Sequence, residues 1–348
     1  MNILVIRFRQ MGDAILATSL LNTLRRSFPD AQIDFVLNAR IAPLFEGHPS
    51  IDRIITFTDD ERHRFITYVR RVWSIVHSTR YDVIIDLRST VNTMLFAMLS
   101  LSSRFRIGRK KWYTRLFFNH LIDVPTGCPM IDLDLAYAAP LRAVHPVEPI
   151  RDFTLCISDE EHRAFGDYLI GQGIDMTRPR ILVNVTAKLA HKVWSEDKMV
   201  WVLQRFLAEY PDYQVIFNYA PGDEERNARR IYERLGSPRQ VFIDVQAHSS
   251  RELVAMAGYM TCFFGNEGGA RHVMHAAGCP TLVVCAPGSK KQVWIPQNQV
   301  LAVGIAPSDF ASCQELSRMS REAQYDLISK ESVWQTLQQF IQQVQDRK

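Results

Sequence analysis

The sequence has no Cys-x-x-Cys pair, no Gly-x-Gly-x-x-Gly turn and no Gly-Lys-Thr phosphate loop. It also has no low-complexity tract and no apolar run near the ~20 residues of a membrane span. Each absence removes a class of protein. The six cysteines, at 128, 156, 262, 279, 285 and 313, are scattered. This excludes a disulfide framework and fits a reduced, cytoplasmic protein. The missing glycine fingerprint argues against a nicotinamide oxidoreductase. Net charge is only +4, with no arginine-rich run or basic tail, so nucleic acid is not an expected partner. The first residues are too short an apolar run for a secretory signal, again placing the chain in the cytoplasm.

What is present is ordinary globular composition, 47% hydrophobic and 22% charged, over 348 residues. That length suits two domains of ~150–200 residues. Short apolar runs alternate with helical patterns throughout, the grammar of parallel sheets covered by helices. Strands are expected at 3–6, 33–37, 53–57, 83–86 and 105–107, with helices over 13–27, 62–78 and 90–99. The connector His145-Pro146-Val147-Glu148-Pro149 then separates a domain at 1–150 from one at 151–328. The second repeats the alternation, with strands at 180–185, 214–218, 240–243, 262–265 and 281–286. A final helix within 329–348 is expected to pack back on the first domain. The fold class is therefore α/β: two doubly wound, Rossmann-like domains facing each other across a cleft. Ligands of such sheets sit at the carboxyl ends of the strands, so those loops carry the functional reading.

The first strand runs into Arg7-Phe8-Arg9-Gln10-Met11-Gly12-Asp13. Gly12 permits close backbone approach to a ligand. Asp13 reads either as a helix N-cap or as a general base, and the two roles are compatible.

Three loops of the second half follow strands. In Thr186-Ala187-Lys188-Leu189-Ala190-His191-Lys192-Val193-Trp194, a hydroxyl and two lysines suit a departing diphosphate; a solvated basic loop is the plain alternative. In Gly222-Asp223-Glu224, the acids are ordinary dipole partners of a first helical turn, or acceptors for ribose hydroxyls. In Asn266-Glu267-Gly268-Gly269-Ala270-Arg271-His272, the paired glycines open a helix start to phosphate or sugar oxygens. Asp132-Leu133-Asp134 has an Asp-x-Asp spacing, but two helical positions two apart do not share a face. Capping is the better reading, and no metal site is expected.

These pieces, in this order, resemble the heptosyltransferases of glycosyltransferase family 9, over essentially the whole chain. The matches are Met11-Gly12-Asp13, Lys192-Val193-Trp194 and the segment Asn266 to Ala277 with His272. The resemblance implies a GT-B fold and inverting transfer, without metal or other cofactor, from a nucleotide diphospho-sugar, typically ADP-heptose, to a lipopolysaccharide core. It implies that Asp13 is the base, with Gly12 beside it. Thr186, Lys188 and Lys192 would hold the diphosphate, Asp223 or Glu224 the ribose, and Glu267, Gly268, Gly269 and His272 the donor sugar and phosphate. Glu267 stands where the family has Asp, Gly268 where it has Thr or Ser, and Ser195 where proline usually follows the tryptophan. A longer carboxylate and a lost hydroxyl point to altered donor choice.

Arg106, Arg109, Lys110 and Lys111, mixed with aromatic residues up to Arg115, suit an anionic lipid-linked or oligosaccharide acceptor and peripheral membrane contact at the inner face of the inner membrane. A solvated loop is the alternative. Against the enzyme stand two other readings: a nucleotide- or glycan-binding protein of this fold without chemistry, and a sugar-nucleotide epimerase.

Overall fold

The computed structural model describes residues 1–8 and 10–347. Its chain divides into two compact units, Met1–Cys156 and Ile157–Lys348, a boundary six residues beyond the expected one.

The first unit is built on six parallel strands: β1 Asn2–Ile6, β2 Gln32–Asn38, β3 Arg53–Phe57, β4 Val83–Asp86, β5 Phe105–Arg109 and β6 His120–Ile122. Their order is β3-β2-β1-β4-β5-β6. The second unit has β7 Arg180–Asn184, β8 Gln214–Phe217, β9 Val241–Phe242, β10 Cys262–Asn266, β11 Thr281–Val284 and β12 Ala302–Ile305. Their order, β12-β11-β10-β7-β8-β9, is the same doubly wound pattern read from the other edge. All pairings are parallel. Burial explains the composition of the central strands: Ile3–Ile6, Val83–Ile85, Ile181–Val183 and Cys262–Phe264 are all at most 1% exposed.

In each sheet the winding direction reverses once, between β1 and β4 and between β7 and β10. A crevice opens at such a point. Of the loops chosen from the sequence, those after β1, β7 and β10 border it, and those after β5 and β8 follow neighbouring strands.

Two helices differ from expectation. The span 13–27 is two helices, Met11–Leu16 and Thr18–Ser27. The Thr18 and Ser19 hydroxyls bond back to the Ile15 and Leu16 carbonyls at 2.8 Å, competing with the helical ladder at the joint. The span 62–78 begins earlier, with a short Asp59–His63 helix boxed by Thr58 and Glu61, before helix Phe65–Ser78.

The final helix, Lys330–Gln345, is where expected. Val333, Trp334, Leu337, Phe340, Ile341 and Val344 form one apolar stripe within the core of the second unit, against helix Glu196–Glu209 and strands β11 and β12. Its apolar face is occupied there.

Candidate functional site

The first unit places a buried cation at the end of β1. Arg7 is 2% exposed, and its guanidinium is shared by carbonyls, carboxylates and the Met130 sulfur at 3.6 Å. Nε donates to the Asp13 carbonyl at 3.3 Å and Nη1 to the Leu87 carbonyl at 3.1 Å. Nη2 lies 3.3 Å from Asp134 Oδ2 and 3.5 Å from Asp13 Oδ1. Arg9 of this loop lies outside the described residues.

Asp13 is not an N-cap. The helix is opened by Gln10, Asp13 is its third residue, and its carboxylate is held by Arg7 inside the first turn. The capping reading of Asp132 and Asp134 is likewise corrected. Pro129 precedes their helix, Asp132 pairs with Arg151, and Asp134 is the fully buried partner of Arg7. A buried arginine is costly unless it is paired, which explains why acids meet it here.

The turn after β4 is the part the sequence reading missed. Asp86 is fully buried, and its Oδ1 accepts the Arg88 and Ser89 N–H groups at 2.9 and 2.8 Å. Burial pushes this carboxyl above its ordinary range, against those hydrogen bonds. Ser89 takes a left-handed φ of 49°. That turn in turn claims the expected acceptor residues. Lys111 Nζ donates to the Ser89 and Arg88 carbonyls at 2.7 and 3.2 Å, and the Arg109 N–H meets Ser89 Oγ at 2.8 Å. Lys110 pairs with Asp123. Arg106 spends its guanidinium on the Leu101, Ser103 and Phe117 carbonyls at 2.7 to 3.0 Å. Arg106 and Lys111 thus brace backbone.

In the second unit, β7 and β10 touch so closely that residue 265 must be glycine. Gly265 has φ of 139°, and a Cβ there would lie 2.3 Å from the Asn184 carbonyl oxygen. Asn266 follows, fully buried. Its amide donates to the Asn184 and Val185 carbonyls at 3.1 and 2.9 Å and accepts the Trp194 N–H at 2.8 Å. The basic loop after β7 is thereby pinned to the end of β10. Trp194 is 1% exposed, with its indole N–H 3.3 Å from the Ile328 carbonyl.

That clamp brings Lys192 and Glu267 together at 2.7 Å. Glu267 Oε2 also accepts the Ala286 N–H at 3.2 Å, beyond β11. Burial raises this carboxyl, but Lys192, Ser289 and Ala286 outweigh it and hold it below the usual range. Thr186, 2% exposed, donates to Glu224 Oε2 at 3.2 Å, joining the loops after β7 and β8. Gly268 is the extended residue before helix Gly269–Ala276. Lys188 is exposed, and Asp223 is paired with Arg226.

A model of glycosyltransferase family 9 (heptosyltransferase) matches residues 69–322. The chain belongs to this family. It is similar to lipopolysaccharide heptosyltransferase 1 of Campylobacter coli, 19% identical over 292 residues, 82% of this chain and 83% of that protein. Among solved structures it resembles the family 9 glycosyl transferase of Veillonella parvula DSM 2008, with TM-score 0.79 and 18% identity, covering 98% of this chain and 97% of that one. The E. coli ADP-heptose lps heptosyltransferase II gives TM-score 0.71 and 18% identity, with 99% of both chains covered. The α/β class and the two doubly wound sheets are those of a family 9 glycosyltransferase.

Within this glycosyltransferase, His272 sits deeper than its expected role implied. It is 7% exposed, with Nε2 3.1 Å from Arg271 Nη2, and burial beside that guanidinium keeps it well below its ordinary pKa and neutral. Arg271 is 1% exposed and bonds the Trp294 carbonyl at 2.9 Å. A cavity of about 440 Å³ between helices Asp159–Gly171 and Ser250–Ala257, lined by Phe165, Tyr168, Arg251 and Glu252, involves none of the residues chosen from the sequence. Among the described residues, no three His, Cys, Asp or Glu side chains converge as a metal site.

Proposed function

We propose that this family 9 glycosyltransferase moves a heptose from ADP-heptose to a hydroxyl of a lipopolysaccharide core or related glycan, at the cytoplasmic face of the membrane, with inversion and with protein cations in place of a metal. The observation that carries the reading is the constellation at the winding reversal of the second sheet. There Lys192, Thr186, Glu224, Glu267 and the glycine-opened helix start at Gly268 surround one crevice edge. Such a helix start presents free N–H groups to a phosphate. The relatives' names supply the donor and acceptor class.

In this mechanism Lys192 leaves Glu267 for the diphosphate and neutralises the charge that grows as the anomeric carbon–oxygen bond breaks. Asp13 takes the proton of the acceptor hydroxyl as that oxygen bonds to the anomeric carbon from the opposite face. ADP departs with the electron pair. Glu224 meets the ribose, and Glu267, once released, meets the sugar hydroxyls. Purified protein given ADP-heptose and a core acceptor releases ADP and lengthens the acceptor. No ADP release from any nucleotide sugar, together with tight nucleotide binding by calorimetry, would instead favour a binding protein without chemistry. The Lys192–Glu267 pair and the absent hydroxyl at Gly268 are the features that favour that second reading.

A further inference from the structure

The charge of this chain is unevenly distributed. Residues 59–123 hold twelve Lys and Arg against six Asp and Glu, a local +6 in a chain of net +4, with Arg62, Arg71 and Lys110 paired to Asp59, Glu61 and Asp123. The same stretch holds an unusual set of exposed apolar side chains. Phe65, Ile66, Trp73, Val91, Trp112 and Leu116 are between 53% and 90% exposed.

These side chains belong to one rim. Helix Phe65–Ser78 follows β3, helix Val91–Met98 follows β4, and the loop of Trp112 and Leu116 follows β5, so their first residues emerge at the same edge of the sheet. Hydrogen bonds tie them together. Tyr68 donates to the Asn92 carbonyl at 3.0 Å, and Lys111 and Tyr113 reach the Ser89 carbonyl at 2.7 and 3.4 Å. The helix Phe65–Ser78 has two apolar stripes: Tyr68, Val72 and Val76 face the core, while Ile66 and Trp73, beside the exposed Arg70, face outward. A helix apolar on its outer side wants a second apolar phase.

We propose that this rim docks the first unit on an anionic phospholipid bilayer, with Phe65, Ile66, Trp112 and Leu116 entering the headgroup layer and Arg64, Arg70 and Arg115 meeting lipid phosphates. The inference rests on the reading above for why docking is useful: an acceptor with a lipid anchor must be met at a surface. Charge and shape select the occupant. A second copy of the chain would set the exposed Arg64, Arg70 and Arg115 against the same cations. Nucleic acid would find phosphate partners, but aliphatic Ile66, Val91 and Leu116 offer no face on which a base stacks. A bilayer surface satisfies both the cations and the alkyl groups at once.

The test is co-sedimentation of the full chain with vesicles of phosphatidylglycerol and phosphatidylethanolamine, and with phosphatidylcholine alone, without donor or acceptor. The protein is expected to sediment with the anionic vesicles and stay in solution with the neutral ones. Trp112→Ser with Leu116→Ser, and separately Arg64→Glu with Arg70→Glu, are expected to weaken partitioning by at least about tenfold with thermal melting unchanged, since all four side chains are exposed. Absence of binding to anionic vesicles, equal binding to neutral ones, or indifference to both variants overturns the proposal. So does a dimer that Trp112→Ser dissociates, or preferential capture of RNA. Because no sugar nucleotide is present, failure here leaves ADP release as a separate question, and failure of ADP release leaves this result standing.

Discussion

Lys192 and Glu267 make an ion pair of 2.7 Å with one third of the lysine and 15% of the glutamate side chain exposed. In the proposed mechanism an incoming diphosphate competes with Glu267 for the same ammonium. Lys192→Met is therefore expected to weaken ADP binding by about tenfold to a hundredfold, the worth of a hydrogen bond to a charged group. Glu267→Gln removes the competitor and is expected to tighten ADP, which has no sugar to miss the carboxylate. Calorimetry with ADP checks both, and unchanged affinity in the pair of variants would remove Lys192 from the donor site.

Asp13→Asn keeps the size of the side chain and the second unit untouched. Turnover is expected to fall by about 10²–10⁴, the usual contribution of a positioned base, while ADP affinity stays. Continuous assay of ADP release beside calorimetry separates the two effects. Turnover at the parental level would strike Asp13 from the mechanism.

Arg7→Ala deprives Asp134 of its guanidinium in a place with no solvent contact. Losing one member of a buried pair costs about 3–5 kcal/mol. Urea unfolding followed by circular dichroism should show a loss of that size, and a shift under 1 kcal/mol would mean that the pocket re-solvates.

Gly265→Ala meets both a clash with the Asn184 carbonyl and a backbone angle that L-residues avoid. A loss of at least about 3 kcal/mol is expected from strain and overpacking together. Gly47, also at positive φ but with open space around a Cβ, is the control: Gly47→Ala carries the strain without the clash.

Three buried histidines, His48 in the first unit and His272 and His275 in the second, predict acid sensitivity. Burial holds His48 and His275 to about 4, despite hydrogen bonds donated to Thr154 and Asn298 that favour the cation. The unfolded chain takes up these protons near 6.5 while the folded chain refuses them. Stability is thus intact above 6.5 and declines as pH falls from 6.5 towards 4, by up to about 3 kcal/mol for each residue. Denaturant midpoints across that window should drop, and His48→Gln or His275→Gln should flatten the drop. A parental profile that is flat between 6.5 and 4 contradicts this account.

Central strands were legible because burial on both faces forces continuous Ile, Val and Leu runs, and β4 has the expected bounds. The two strands not anticipated, His120–Ile122 and Ala302–Ile305, are sheet edges of three and four residues. Covered on fewer sides, they lack the continuous apolar run that marks an interior strand. The site divided similarly. Lysine, glutamate and glycine in strand-end loops announced themselves by residue type. The Arg7–Asp134 pairing did not, because its members are 127 positions apart and only tertiary structure joins them. Asn266 stood inside a recognised motif yet received no role, since a buried amide that binds backbone looks in sequence like any polar residue.

That amide has a consequence for how donor preference can change. One side chain sets the distance between the strand end that carries Glu267 and the turn that carries Lys192. The two charged groups cannot drift apart by loop movement alone, so a change of sugar preference is expected to arise by exchanging side chains on a fixed frame.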